Sequence, residues 1–391
     1  MITIPLERAN RWLLRKQHLS SDAPSGSLSA VIDDCFGLHG TEMMTPYLSL
    51  RARLPGFQRD DLYDALYRRR RLGRIRCVRR TLYVLTHEQM AVMHAATRDL
   101  LKREIEGYLA FVGLDEDALA AVGQRVTDEL GDDGLTAREL GQRLVWDEKS
   151  RRAITALCNR RILTRGEPRK GWRDRMSRYY AFAPYYPTVD LHRDPQEALI
   201  DLVGRYIRAF GPATTNDLAW WTGLTKRALR AAMTQVEGLR EVAIEPFGEG
   251  YWLFQNEIEP LMALSASDQP SVSVLPLLDG MLMGYKDRRR FFGDDLRPYT
   301  TDRSGNVTTL VLVDGQAAAV WDYRDKKTPT VWWHPLVPLD SELSARIERQ
   351  LAEVGAWIAD APVELVYQKD MEPIASFRAG RFMHPLSPKN R

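Results

Sequence analysis

Cysteine is scarce in this chain of 391 residues, with Cys35, Cys77 and Cys158 far apart and no CxxC pair. Three isolated cysteines predict neither a zinc site nor a disulfide framework, which is typical of a reducing compartment. The chain also lacks the run of about 18 apolar residues that a membrane span needs. Its first residues lack the apolar core of an export signal. We therefore expect a cytoplasmic protein without a membrane partner.

Several catalytic signatures are missing as well. The sequence contains no GxxxxGK[ST], GxGxxG, GxSxG or HExxH motif, and its seven histidines show no ligand spacing. These absences remove the support for a kinase, a dinucleotide-dependent enzyme, an α/β-hydrolase or a zinc protease. We expect neither a metal ion nor a cofactor.

Positive charge is concentrated in two segments, although the net charge of the chain is only +3. Residues 68–80 contain eight arginines and no acid, and residues 165–178 contain six basic residues against two acidic ones. Such segments are typical of a protein that binds a polyanion. The alternative is an ordinary solvated surface, which explains the second segment better than the first because closely spaced arginines repel one another.

The pattern along the chain predicts a mainly helical α+β protein with three tandem winged-helix domains and a small C-terminal β-barrel or sandwich. In each winged helix, helical periodicity gives way to two β-rich runs around a turn. In the last domain, Asp314-Gly315 between apolar runs is a strong hairpin signal. Thr136 with Glu139 as its capping-box partner predicts the start of one helix, and Thr215 is the predicted cap of another. The expected domains are residues 1–112, 113–192, 193–264 and 272–391, with a linker at 265–271.

A polar turn lies between two helical segments of the first domain. His39, Thr41 and Glu42 are crowded there beside flexible glycines, and Thr45 can cap the helix that follows. Polar groups held between rigid helices are candidates for chemistry. On composition alone, an ordinary helix–helix connection is the favoured explanation of these residues.

Three segments resemble the winged-helix DNA glycosylases of the AlkZ and YcaQ type. They are GLHGTEMMTPYLSLRARLPGF at 37–57, YIRAFGPATTNDLAWWTGL at 206–224 and SVLPLLDGMLMGYKDR at 273–288. The resemblance implies tandem winged helices and a small β-barrel around a DNA-binding cleft. It also implies excision of bulky alkylated purines, including cross-links left by genotoxic natural products.

The family's catalytic triplet is Gln, a hydrophobic residue, then Gln or Asp. The resemblance places His39, Gly40 and Thr41 at these positions, so the sequence departs from the pattern at all three. Our hypothesis is that His39, Thr41 and Glu42 are catalytic. His39 would accept a proton from water, Thr41 would orient that water, and Glu42 would stabilise the sugar cation or act as the base.

The basic segment at 165–178 is predicted to be a hairpin, and it resembles the β-hairpin that enters the duplex in this family. Trp172 at its centre either stacks against bases or fastens the hairpin to the body. In the tail, Asp279, Tyr285 and Arg288 either line the cleft opposite His39 or form ion pairs between barrel and body. The predicted DNA-binding residues are Arg79, Arg80, Arg165, Arg169, Lys170, Trp172, Arg173, Arg175 and Arg178.

Together these features predict a monomeric DNA glycosylase that acts on double-stranded DNA carrying bulky or cationic alkylpurine lesions. The main alternative is a non-catalytic DNA-binding protein, such as a regulator or a lesion sensor. A third possibility is an interaction protein whose basic surfaces bind another acidic partner.

Overall fold

The fold comes from a computed structural model that describes residues 1–144, 148–265, 269–325, 327–374 and 384–386. Helix accounts for 46% and strand for 20% of the described residues, so the prediction of a mixed α+β protein richer in helix is confirmed. No helix in these described ranges combines the length and the apolar character that crossing a membrane requires. Part of the predicted linker at 265–271 lies outside the described residues.

The helices are α1 (Leu6–Lys16), α2 (Leu28–Asp34), α3 (Met44–Arg53), α4 (Arg59–Tyr63), α5 (His87–Val112), α6 (Glu116–Glu129), α7 (Ala137–Leu144), α8 (Glu148–Asn159), α9 (Phe182–Tyr185), α10 (Pro195–Phe210), α11 (Thr215–Thr222), α12 (Lys226–Met233), α13 (Gln255–Met262), α14 (Gly280–Met283), α15 (Arg297–Thr300) and α16 (Ser341–Ala359). The strands are β1 (Thr3–Pro5), β2 (Leu38–His39), β3 (Leu72–Arg76), β4 (Leu82–Thr86), β5 (Leu135–Thr136), β6 (Leu163–Pro168), β7 (Ser177–Ala181), β8 (Ala213–Thr214), β9 (Leu239–Glu245), β10 (Gly248–Phe254), β11 (Val272–Leu275), β12 (Leu310–Val313), β13 (Gln316–Arg324), β14 (Thr330–Pro335) and β15 (Glu364–Tyr367).

The chain divides into two compact units. One, here called the terminal unit, consists of Met1–Ser25, Phe210–Asp217 and Arg240–Arg391. The other, the central unit, consists of Gly26–Ala209 and Leu218–Leu239. The finer division into four domains stays a prediction.

The first sheet of the terminal unit has the strand order β1–β9–β10–β8. Strand β1 runs parallel to β9, with Ile4 opposite Ile244. Ile4, Trp12 and Leu253 are buried in the core behind this sheet. The first residues of the chain therefore complete a sheet whose other strands lie more than 200 residues further on.

The second sheet of the terminal unit is open, so the predicted barrel is not confirmed. Its order is β11–β12–β13–β14–β15, which leaves β11 and β15 at the edges among the described residues. The predicted hairpin at Asp314-Gly315 is confirmed, since Val313 pairs with Gln316 across it. Helix α16 connects β14 to the parallel strand β15. It packs closely on the sheet, because a Cβ on Gly355 would lie 2.4 Å from Val331.

The central unit contains two three-stranded sheets, β2–β4–β3 and β5–β7–β6. Long helix α5 begins at a capping box in which Thr86 and Gln89 exchange hydrogen bonds. The predicted capping box of α7 is confirmed: Glu139 accepts from the Thr136 amide at 2.7 Å, and the Thr136 hydroxyl accepts from the Glu139 amide at 3.2 Å. The assignment of these elements to winged helices stays a prediction.

Two predicted helix caps are wrong. Helix α3 begins at Met44, so Thr45 lies inside the first turn, where it is buried. Helix α11 is capped by Thr214 rather than Thr215. The Thr214 hydroxyl accepts from the Asp217 amide at 3.1 Å, and the Asp217 carboxylate accepts from the Thr214 amide at 3.1 Å. This reciprocal pair fixes the start one residue earlier than the sequence indicated.

The central unit should lose stability in acid through His94. Burial, followed by the nearby charges of Arg161 and Arg98, lowers the pKa of His94 to about 3. Because the unfolded chain binds a proton near pH 6.5 and the folded chain does not, stability is complete above that pH and is lost as pH falls below it. At pH 5.5 the loss should be about 1.4 kcal/mol.

The check is urea denaturation at pH 7.5 and 5.5 of the wild type and of His94→Leu. The variant has no imidazole at position 94. The difference in its free energy of unfolding between the two pH values should therefore be smaller than that of the wild type by about 1.4 kcal/mol. Equal changes in the two proteins would show that His94 is protonated as easily in the folded chain as in the unfolded one.

Candidate active site and nucleic-acid interface

The polar turn is fastened to a sheet of the central unit. Strand β2 pairs antiparallel with β4, which places His39 opposite Tyr83. The Gly40 amide continues the ladder by donating to the Leu82 carbonyl at 2.7 Å. A Cβ at position 40 would lie 3.3 Å from the Arg74 side chain, so a small residue suits this position. The backbone of the turn is therefore held on both sides.

His39 is buried, with 2% of its surface exposed. Its ring packs against Tyr83 at a centroid distance of 5.3 Å. The Thr41 amide donates to His39 Nδ1 at 3.4 Å. A ring nitrogen that accepts a hydrogen bond carries no proton, so this contact favours neutral imidazole protonated on Nε2. The ring thus braces the turn from inside.

Thr41 and Glu42 face outward from the same turn. The Thr41 hydroxyl oxygen accepts from the Leu82 amide at 3.4 Å, a bond that does not use the hydroxyl hydrogen. Glu42 is 30% exposed and bonds Arg175 of the basic hairpin, with 2.5 Å between Oε2 and Nη2. The structure therefore joins the turn to the hairpin tip across 133 residues of sequence.

The hairpin itself is formed as predicted, by strands β6 and β7. Trp172 at its tip packs on Tyr47 of α3, with ring centroids 5.0 Å apart. The Arg59 guanidinium lies 5.4 Å from the Trp172 ring. These contacts are the ones expected if Trp172 fastens the hairpin to the body of the protein. Insertion of Trp172 between bases stays a prediction.

The remaining cations of the hairpin fall into two groups. Arg169, Lys170 and Arg173 are exposed at the tip. Arg165 lies partly buried near the Tyr179 ring, and Arg178 donates to the carbonyls of Asp133 and Gly134 at 2.7 and 2.8 Å. The tip is thus the more accessible part for phosphate.

Arg79 and Arg80 occupy a short 3₁₀ turn, Val78–Arg80, between β3 and β4. Both have left-handed backbone conformations, with φ of 47° and 60°. The Arg79 guanidinium lies 3.6 Å from the centroid of Trp220, whereas Arg80 is exposed. Arg79 is thereby oriented by stacking, and Arg80 projects into solvent.

Two residues near the polar turn, Arg74 and Tyr47, are not among the site residues predicted from the sequence. Arg74 is 91% buried beside Gly40, and its Nη1 contacts the Met43 sulfur at 2.6 Å. Its Nε has no hydrogen-bond partner among the described residues. Tyr47 is also buried, and burial raises the pKa of its hydroxyl. That hydroxyl has no hydrogen-bond partner among the residues that the structure describes. Arg74 could not be singled out from the sequence because it is one of eight arginines in the same segment.

The predicted cleft residues of the tail are buried in the terminal unit. Asp279 caps α14 by accepting from the Met281 amide at 3.0 Å. The Tyr285 hydroxyl donates to the Phe210 carbonyl. Arg288 donates to the carbonyls of Leu282 and Gly305, both at 2.9 Å. These contacts build the loop structure of the unit, and a role in lining the cleft stays a prediction.

The described ranges contain no group of three or more His, Cys, Asp or Glu side chains placed to hold a metal ion. The polar groups brought together in the central unit are an imidazole, a hydroxyl, a carboxylate and several guanidiniums. Such a set can orient water, accept a proton and bind phosphate.

Comparison with known proteins places the chain in a class of DNA-repair proteins. The model of the family described as "DNA glycosylase AlkZ-like" matches residues 32–357, and the chain belongs to that family. Among solved structures, the chain is similar to the Streptomyces sahachiroi DNA glycosylase AlkZ. The two share 20% identity with a TM-score of 0.74, over 94% of this chain and 100% of that one. They have the same fold. A search of curated proteins finds no significant match.

Proposed function

We propose that this protein is a monomeric DNA glycosylase that hydrolyses the N-glycosyl bond of bulky or cationic alkylated purines in double-stranded DNA. Genotoxin adducts and cross-links fall within this substrate class. The observation that carries the proposal is the contact between Glu42 and Arg175. It places a carboxylate suited to a sugar cation directly beside a cationic hairpin suited to a duplex.

Hydrolysis of such a substrate needs little catalytic assistance from the protein. Cleavage of an N-glycosyl bond passes through an oxocarbenium-like transition state, as glycoside hydrolysis does. A purine alkylated at N7 or N3 is already cationic, so it leaves without a strong general acid. The protein then has to supply negative charge near the sugar and to hold a water molecule at the anomeric carbon.

Glu42 is the residue best placed to supply that charge and to take the proton of the attacking water. Arg175 neutralises it in the free protein, and a DNA phosphate that captures Arg175 would release it toward the sugar. The Thr41 hydroxyl hydrogen is available to orient the water. His39 then acts as a positioning residue, since its Nδ1 already accepts the Thr41 amide. This differs from the sequence-based hypothesis, in which His39 accepts the proton.

The second candidate is a non-catalytic DNA-binding protein. It is favoured by the burial of His39 and by the ion pair that masks Glu42. A regulator would typically be a dimer that reads repeated half-sites, whereas a glycosylase acts as a monomer. Gel filtration and binding to random-sequence duplex separate these two modes.

The direct test is incubation with a duplex that carries one N7-alkylguanine, followed by assays for free base and for an abasic site. The glycosylase should release the base and leave the strand intact until alkali is added. If no member of a panel of small and bulky N3- and N7-alkylpurines is released, the non-catalytic candidate becomes the better description.

A further inference from the structure

The longest run of arginines in the chain, residues 68–71, has no part in the proposed active site. Three of its members line an open groove of about 530 Å³ in the central unit, together with His87, Tyr185, Thr188 and two prolines. The lining residues indicate which class of ligand this groove can bind.

The backbone holds these arginines in fixed positions. A π-helical turn, Asp64–Arg68, precedes them. The Arg69 amide donates to the Asp64 carbonyl and the Arg71 amide to the Ala65 carbonyl, both at 2.8 Å. Arg70 between them is left-handed, with φ of 51°. A left-handed conformation is uncommon for arginine and persists only where the surroundings fix it.

Stacking orients the central guanidinium. Arg70 lies 4.0 Å from the centroid of the Tyr185 ring and 5.5 Å from that of Tyr180. A guanidinium that lies over an aromatic ring keeps the N–H groups along its edge available for an anion. Because the position is set before binding, little side-chain freedom is lost when the anion arrives.

Carboxylates neutralise only one side of the groove. Arg69 pairs with Asp64 at 2.5 Å, but no described carboxylate lies within 4.0 Å of Arg70 or Arg71. His87 Nδ1 lies 2.6 Å from the Thr188 hydroxyl, and burial lowers the pKa of His87, so this pair adds polarity without charge. Two adjacent cations that form no ion pair within the described ranges, beside a wall of Tyr185 and two prolines, fit an anion.

We propose that the groove at Arg70 and Arg71 binds backbone phosphates of the duplex beside the lesion. This inference rests on the proposed function, because it assumes that DNA is the ligand. Strand β7 leads from the hairpin directly into α9, and Pro184 and Tyr185 of that segment line the groove. Hairpin and groove are therefore joined by one continuous segment of the chain.

The test compares wild type, Arg70→Gln/Arg71→Gln and Arg70→Lys/Arg71→Lys in binding a duplex over a salt series. Loss of two phosphate contacts should make the dependence of log affinity on log salt less steep by about 1.8. The lysine variant keeps the charges and should retain most of the slope. The matched control is Arg98→Gln/Arg103→Gln, which removes two exposed charges from α5 and should leave the slope close to that of wild type.

Single phosphates replaced in turn by neutral methylphosphonates then locate the contact. One or two positions should weaken binding by the wild type but not by the glutamine variant. The inference is overturned if the glutamine variant keeps the wild-type slope, or if every methylphosphonate weakens both proteins equally. It stands, and the glycosylase proposal fails, if these contacts appear in a protein that releases no base. Both fail if the wild type does not bind duplex.

Discussion

Replacing Glu42 by Gln should lower the rate of base excision by about 10²–10⁴-fold, the usual effect of removing a general base or a charge at the reaction centre. Glutamine keeps the size and hydrogen-bonding capacity of the side chain, so the loss would report on charge. Duplex affinity should change little, because the variant leaves Arg175 available for phosphate. Folding should also be nearly unaffected, since a partly exposed ion pair contributes about 0–1 kcal/mol.

The matched control for this variant is Glu116→Gln. Glu116 on α6 is exposed and also pairs with an arginine, Arg160, but it lies outside the polar turn. Its replacement should leave excision at the wild-type rate. Single-turnover rates with excess protein isolate the chemical step. Equal rates in the Glu42 and Glu116 variants would remove Glu42 from the reaction.

Replacing Arg169, Lys170, Arg173 and Arg175 together by Ala should abolish most of the duplex affinity at physiological salt. Four lost phosphate contacts should make the salt dependence less steep by about 3.6, with a loss of affinity of about 10²-fold or more. The reason is that all four cations are exposed at the tip, where Arg175 pairs with Glu42. Fluorescence anisotropy over a salt series measures both quantities.

The control for the hairpin replaces four exposed cations of α5 and α6, Arg98, Lys102, Arg103 and Arg125, and so changes the net charge equally. This variant should bind with nearly the wild-type slope. If the two quadruple variants lose affinity and slope to the same extent, net charge explains the binding and the hairpin is not a specific contact.

Much of the local structure could be predicted from the sequence. The basic hairpin, the turn at Asp314-Gly315 and the cap of α7 depend on neighbouring residues, whose periodicity and turn chemistry are visible in a single sequence. The cap predicted at Thr215 is wrong because Thr214, one residue earlier, forms the reciprocal hydrogen bonds with Asp217.

The long-range contacts could not be predicted in the same way. Nothing near Glu42 in the sequence indicates that Arg175 is its partner, and nothing near Ile4 indicates that it pairs with Ile244. The burial of Arg74 could not be predicted either. Arg74 lies on a strand within a segment rich in arginine, and the sequence does not show which guanidinium of that segment is buried. Strand pairing across the same kind of distance places His39 opposite Tyr83 and buries its side chain, which the sequence around His39 does not indicate.

The most direct test of the account is single-turnover release of free base from an N7-alkylated duplex by the wild type, His39→Ala, Thr41→Ala and Glu42→Gln. The account predicts release by the wild type, with the Glu42 variant slowest and all three variants slower at nearly unchanged duplex affinity. If the wild type releases the base and all three variants release it equally fast, the reaction centre lies elsewhere in the protein.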